Sequence, residues 1–77
     1  MPKIPPITPK RLLRVLLRAD FYIHHQRGSH VNLRHATKTH LHVVVPNHGR
    51  DLAPKTLRSI LVQAEITPEE FIALLSK

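Results

Sequence analysis

The sequence predicts an α+β fold: a helix, a three-stranded antiparallel sheet, a second helix and a short third one. The helices cover one face of the sheet and leave the other open. Three observations carry this expectation. Leu12, Leu13, Leu16 and Leu17 recur at helical spacing near the start of the chain. Between Phe21 and Pro46 polar and apolar residues alternate in three short runs separated by turn signals. Beyond residue 54 the helical period returns in Leu57, Ile60, Leu61 and Ala64.

The elements follow in order. Residues 1–7 hold Pro2, Pro5 and Pro6 without any period and read as an extended, flexible N-terminal arm. Residues 8–77 form the single domain. Thr8-Pro9 is a helix start: the threonine caps free amides and proline suits the first helical position. Arg11, Arg14 and Arg18 fall largely on the wet side of that helix, as a solvated basic face. Asp20 at its end carries the wrong charge for a helix C-terminus.

The first strand is expected over residues 21–26, with Phe21 and Ile23 on one side and Tyr22, His24 and Gln26 on the other. Arg27-Gly28-Ser29 makes the turn, glycine supplying a backbone angle that other residues resist. The second strand spans residues 30–35, so His30, Asn32 and Arg34 share the open face. A polar turn over residues 36–39 leads to a third strand over 40–45. Leu41, Val43 and Val45 face the core there, with His40, His42 and Val44 opposite. Pro46 closes it, and residues 46–53 form a loop holding His48, Gly49, Arg50 and Asp51. The second helix runs over 54–64. Thr67-Pro68-Glu69-Glu70 repeats the start signal for a short third helix that packs through Phe71, Ile72, Leu74 and Leu75.

Size and charge limit the function. A chain of 77 residues buries only about 60% of its unfolded surface, which makes a stabilising partner useful. There is no cysteine, which rules out disulfides and thiolate chemistry and agrees with a cytoplasmic location. No apolar run approaches the roughly 20 residues of a membrane span, and the start of the chain lacks a signal-peptide core. Lysine and arginine number 12 against 5 acidic residues, a formal +7. Up to Ala64 there are 11 basic residues against Asp20 and Asp51 only, a formal +9. Such a field favours a polyanion, with nucleic acid foremost. The plainer alternative is a basic protein that merely stays soluble, or one neutralised by an acidic protein.

Seven histidines allow three readings. His40-x-His42 and His24-His25 offer metal donors, but the usual zinc patterns, with cysteine or a H-x-x-x-H pair, are missing. His24, His25, His35 and His40 read as polar strand or turn residues on a wet face. His30 is the candidate for acid–base catalysis. RNA carries its own nucleophile, the 2′-hydroxyl beside each phosphate. An imidazole, with a free pKa of about 6.5, can remove that proton or protonate the departing 5′-oxygen. Arg34 on the same face and Arg27 near the turn are the candidate phosphate contacts. Ser29 orients the turn or donates to phosphate. His48 is a second candidate for the complementary proton transfer. No acidic cluster suits magnesium, so no cofactor is expected.

Three stretches together resemble the HicA family of mRNA interferase toxins, also called YcfA-like proteins. They are Gly28-Ser29-His30, Val44-Val45-Pro46-Asn47-His48-Gly49, and Thr56-Leu57-Arg58-Ser59-Ile60-Leu61 with Ala64-Glu65-Ile66-Thr67-Pro68-Glu69-Glu70-Phe71. They span about residues 8 to 75. The resemblance implies a fold like the double-stranded-RNA-binding domain and ribonuclease activity on mRNA, independent of the ribosome. The lack of an acidic cluster for magnesium makes metal-independent cleavage the expected chemistry. The resemblance places the family's catalytic histidine at His30 and implies a HicB-type antitoxin as protein partner. Lys55 and Glu65 stand where the family often has glycine, which bears on helix-end geometry. The alternative function is a non-catalytic RNA-binding module of the same fold, gripping RNA by shape and phosphate.

Overall fold

The computed structural model describes residues 3–77. The elements run α1 (Pro9–Arg18), β1 (Phe21–Arg27), β2 (His30–His35), β3 (His42–Pro46), α2 (Pro54–Gln63) and α3 (Pro68–Leu75). The sheet is antiparallel in the order β1-β2-β3. This is the expected α+β arrangement, and the helices lie on one face of the sheet.

Local chemistry sets the helix ends. The Thr8 hydroxyl accepts from the Arg11 amide at 3.3 Å, and Pro9 opens α1. Thr67 and Glu70 form a reciprocal capping box at α3, each amide donating to the other side chain at 3.1 Å. Ala53 leaves α2 without a side-chain cap.

Two helices end in left-handed residues that are not glycine: Asp20 at φ 70° after α1 and Glu65 at φ 56° after α2. At α2 the Glu65 amide bonds to the Val62 carbonyl and the Ile66 amide to that of Leu61. This is the paired closure of a Schellman motif, which favours glycine at the position Glu65 occupies. The departure noted in the sequence at Glu65 therefore falls on the residue that must adopt the left-handed angle.

The core lies between the sheet and the helices. Leu12, Val15 and Leu16 of α1 meet Val31 and Leu33 of β2, Val43 and Val45 of β3, Leu57, Ile60 and Leu61 of α2, and Phe71 of α3. Each fully buried aliphatic side chain of this kind contributes about 1.5–3 kcal/mol. The reading of residues 1–7 as a flexible arm needs amendment at its end. Ile7 is only 2% exposed, and its carbonyl accepts from the Leu52 amide at 2.9 Å. Ile4 packs against the same core. Apolar burial anchors this stretch, while residues 1 and 2 of the expected arm lie outside the described residues.

Candidate functional site

The two-residue turn Gly28-Ser29 closes the β1–β2 hairpin, with Arg27 and His30 as the last paired residues. Of these turn residues only Gly28 has a positive φ, 58°. That pattern defines a type II′ turn, whose first position belongs to glycine. Nothing lies within 4 Å of where a Cβ would stand on Gly28, so the requirement is conformational rather than steric. The Asn47 amide donates to the Ser29 carbonyl at 2.6 Å. The loop after β3 is thereby tied to the hairpin end.

Strand register fixes which side chains share the open face. Tyr22 pairs with Arg34 and Arg34 with His42; His25 pairs with Asn32 and Asn32 with Val44; Arg27 pairs with His30 and His30 with Pro46. Directly paired residues point to the same side. The face is thus a grid of three rows across three strands, bearing three imidazoles, two guanidinium groups and no carboxylate. His30, Arg27 and His25 are exposed, and Arg34 and Asn32 are half-buried. His30 is therefore open to solvent, on a cationic surface at the hairpin end.

The expected first strand is corrected at one point. A bulge between Ile23 and His25 shifts the register. Beyond it His25 and Arg27 take the open face, where strict alternation assigns His24 and Gln26. The extra residue in a bulge reverses the parity of every later position. His24 and His25 sit side by side as a result, their Nδ1 atoms 2.9 Å apart and their rings edge to face.

The other histidines separate into distinct roles. His35 is not on a wet face. It is 9% exposed and stands edge-on to Phe21, its cross-strand partner. Its Nδ1 accepts from the Thr37 and Lys38 amides at 3.1 and 3.0 Å. Both donors require that nitrogen to be without its proton. His40 lies before β3 rather than in it and meets Glu65 at 3.2 Å. His42 instead approaches the Asn32 side-chain oxygen at 3.0 Å. The pair His40-x-His42 therefore does not converge, and among the described residues no three His, Asp or Glu side chains gather to hold a metal ion. His48 lies one residue beyond the Asn47–Ser29 tie. It lines a shallow pocket with Thr8, Lys10, Asn47 and Gly49 and accepts the Arg50 amide at 3.3 Å. It shares the hairpin end of the molecule but not the grid.

Arg11, Arg14 and Arg18 form an exposed row on α1. Arg18 donates to the Leu74 carbonyl at 3.1 Å, joining α1 to the last turn of α3. Among the described residues no helix is long and apolar enough to cross a membrane.

Fold and site define a small α+β domain whose uncovered sheet face concentrates imidazole and guanidinium groups. The family model described as HicA toxin of bacterial toxin-antitoxin matches residues 9–66, a span from the first helix through the closure of α2. The chain belongs to the HicA toxin family, and its role is that of the toxin partnered with an antitoxin. No curated protein matches it significantly.

Proposed function

We propose that this toxin is a metal-independent endoribonuclease that cleaves mRNA in the cytoplasm, with His30 as general acid or base. The observation that carries this reading is the exposure of His30 beside Arg27 at the end of an acid-free sheet face. Cross-strand partners have their Cβ atoms about 4.5–5.5 Å apart, close enough for both side chains to address one phosphate. Arg27 then stabilises the extra negative charge of the transition state. Ser29, whose carbonyl is held by Asn47, sets the turn and offers its hydroxyl to phosphate.

Arg34 has a different part. It lies four positions from His30 along β2, about 13 Å at the usual rise. That spacing suits a neighbouring phosphate and so serves grip and register rather than the bond being cut. His48, beside Lys10 at the hairpin end, is a flanking RNA contact. The antitoxin partner is of the HicB type and covers the same face, which explains how the activity is held in check.

The test uses purified protein and a defined RNA in EDTA. Wild type is expected to leave 2′,3′-cyclic phosphate and 5′-hydroxyl ends, and His30→Ala to lose cleavage by about 10²–10⁴-fold. Equal cleavage by the two proteins would remove His30 from the chemistry. Salt-sensitive binding with RNA left intact by wild type would favour the non-catalytic binding module instead.

A further inference from the structure

Cutting RNA through its own 2′-hydroxyl needs two proton transfers. One group takes the proton from the 2′-oxygen as that oxygen bonds to phosphorus. Another gives a proton to the 5′-oxygen as its bond to phosphorus breaks. The products are a 2′,3′-cyclic phosphate and a 5′-hydroxyl, and the protons balance between a neutral imidazole and an imidazolium. One ring cannot hold both protonation states at once, so a second positioned group beside His30 would add its own share of general acid–base catalysis.

Register singles out His25. In the grid it occupies the row next to His30, one strand across and two positions from Arg27. Diagonal neighbours of this kind are separated by about 7–8 Å, within reach of long and aromatic side chains on a common phosphate. His42 is two rows away and engaged with Asn32. His48 lies off the grid. Only the bulge at residue 24 puts His25 on the open face, and bulges next to functional sites re-aim side chains in this way.

The His24–His25 contact adds orientation. With the two Nδ1 atoms at 2.9 Å, one ring donates and the other accepts. Among the described residues the Nε2 of His25 has no hydrogen-bond partner, and the side chain is exposed. We infer that His25 is the second proton-transfer group, carrying the half of the acid–base pair that His30 does not, with His24 as its positioning residue. This rests on the ribonuclease reading above.

The decisive comparison uses full-length wild type, His25→Ala, His25→Gln and His30→Ala on two RNAs. One is ordinary; the other carries sulfur in place of the bridging 5′-oxygen at the cut site. A thiolate leaves without being protonated, so loss of the general acid is masked on the sulfur substrate and loss of the base is not. His25 variants with unchanged melting temperature are expected to lose about 10²–10⁴-fold on ordinary RNA. Sulfur should restore cleavage for the variant at one of the two histidines and not for the variant at the other. Loss below about threefold in both His25 variants, or an identical response of His25 and His30 variants to sulfur, would overturn the assignment. In that case wild-type cleavage would still stand. Failure of wild type to cut either RNA would instead remove the ribonuclease reading and this inference with it.

Discussion

The amide of Asn47 donates to the carbonyl of Ser29 across the end of the sheet, at 2.6 Å. The hairpin turn is therefore held from outside as well as by its own ladder. Gly28→Ala tests what the turn contributes. The methyl meets no atom, yet alanine resists φ 58°. Urea denaturation should report a loss of about 1–2 kcal/mol from conformational strain alone, and RNA cleavage should fall further than stability does because His30 follows the turn.

His35 closes the turn after β2 by accepting two amides. His35→Ala should destabilise the domain by about 2–3 kcal/mol, since two backbone donors lose their acceptor and a buried ring is removed. Thermal melts would measure it, and amide exchange at Thr37 and Lys38 should accelerate more than elsewhere. A change under about 0.5 kcal/mol would mean that water replaces the ring without penalty.

Asp20 and Glu65 hold left-handed angles that glycine adopts freely. Asp20→Gly should raise stability by about 1 kcal/mol, because it relieves backbone strain and removes an acid from the C-terminal end of α1. Glu65→Gly should yield less. It also deletes the exposed pair with His40, which is worth about 0–1 kcal/mol. Equal gains from the two substitutions would show that the His40–Glu65 contact contributes nothing.

Glu70 should report on acid. Its carboxyl is held below the ordinary value of 4.5, first by the Thr67 backbone amide and then by the Thr67 side chain. A carboxylate with a depressed folded pKa stabilises the fold fully above its unfolded value, and that contribution fades as pH falls through the folded one. Between about pH 6 and pH 3 the wild-type melting temperature should therefore drop more than that of Glu70→Gln. Parallel curves would contradict the capping-box account.

The two open-face arginines should separate in kinetics. Arg27→Ala should lower kcat by about 10²-fold, as expected when a group facing the developing charge is lost. Arg34→Ala should chiefly raise KM, by roughly three- to tenfold, because it grips a phosphate away from the cut. A kcat defect of equal size in both would mean that Arg34 also reaches the scissile phosphate.

Much of this architecture was legible from composition and period. Val31 and Leu33 alternate with polar neighbours, so β2 could take only one facing without exposing its apolar set. Val43, Val44 and Val45 run together in β3, whose facing follows from its pairing with β2. β1 lacked that constraint. After Ile23 it reads His24-His25-Gln26-Arg27, with no apolar residue to mark a buried side. A one-residue bulge there leaves no trace in composition, and the facing of His25 was hidden for that reason. His35 is a different case. Its parity with Val31 and Leu33 points inward, but histidine is polar enough to pass for a surface residue until its amide donors are known. Ile7 was hidden by its prolines, which break every local period and do not prevent burial. The cationic face was visible as charge before it was visible as geometry.

β1 forms one border of the sheet, so its outer backbone groups have no neighbouring strand. Such a border invites a second copy to add on and start an endless stack. Here the kink at residue 24 spoils the straight run of donors and acceptors, and Arg27 with the paired imidazoles sets like charge against like whenever those rings are protonated. Removing His24 to straighten β1 should therefore give a chain that precipitates as ordered fibrils on concentration, whatever becomes of its chemistry.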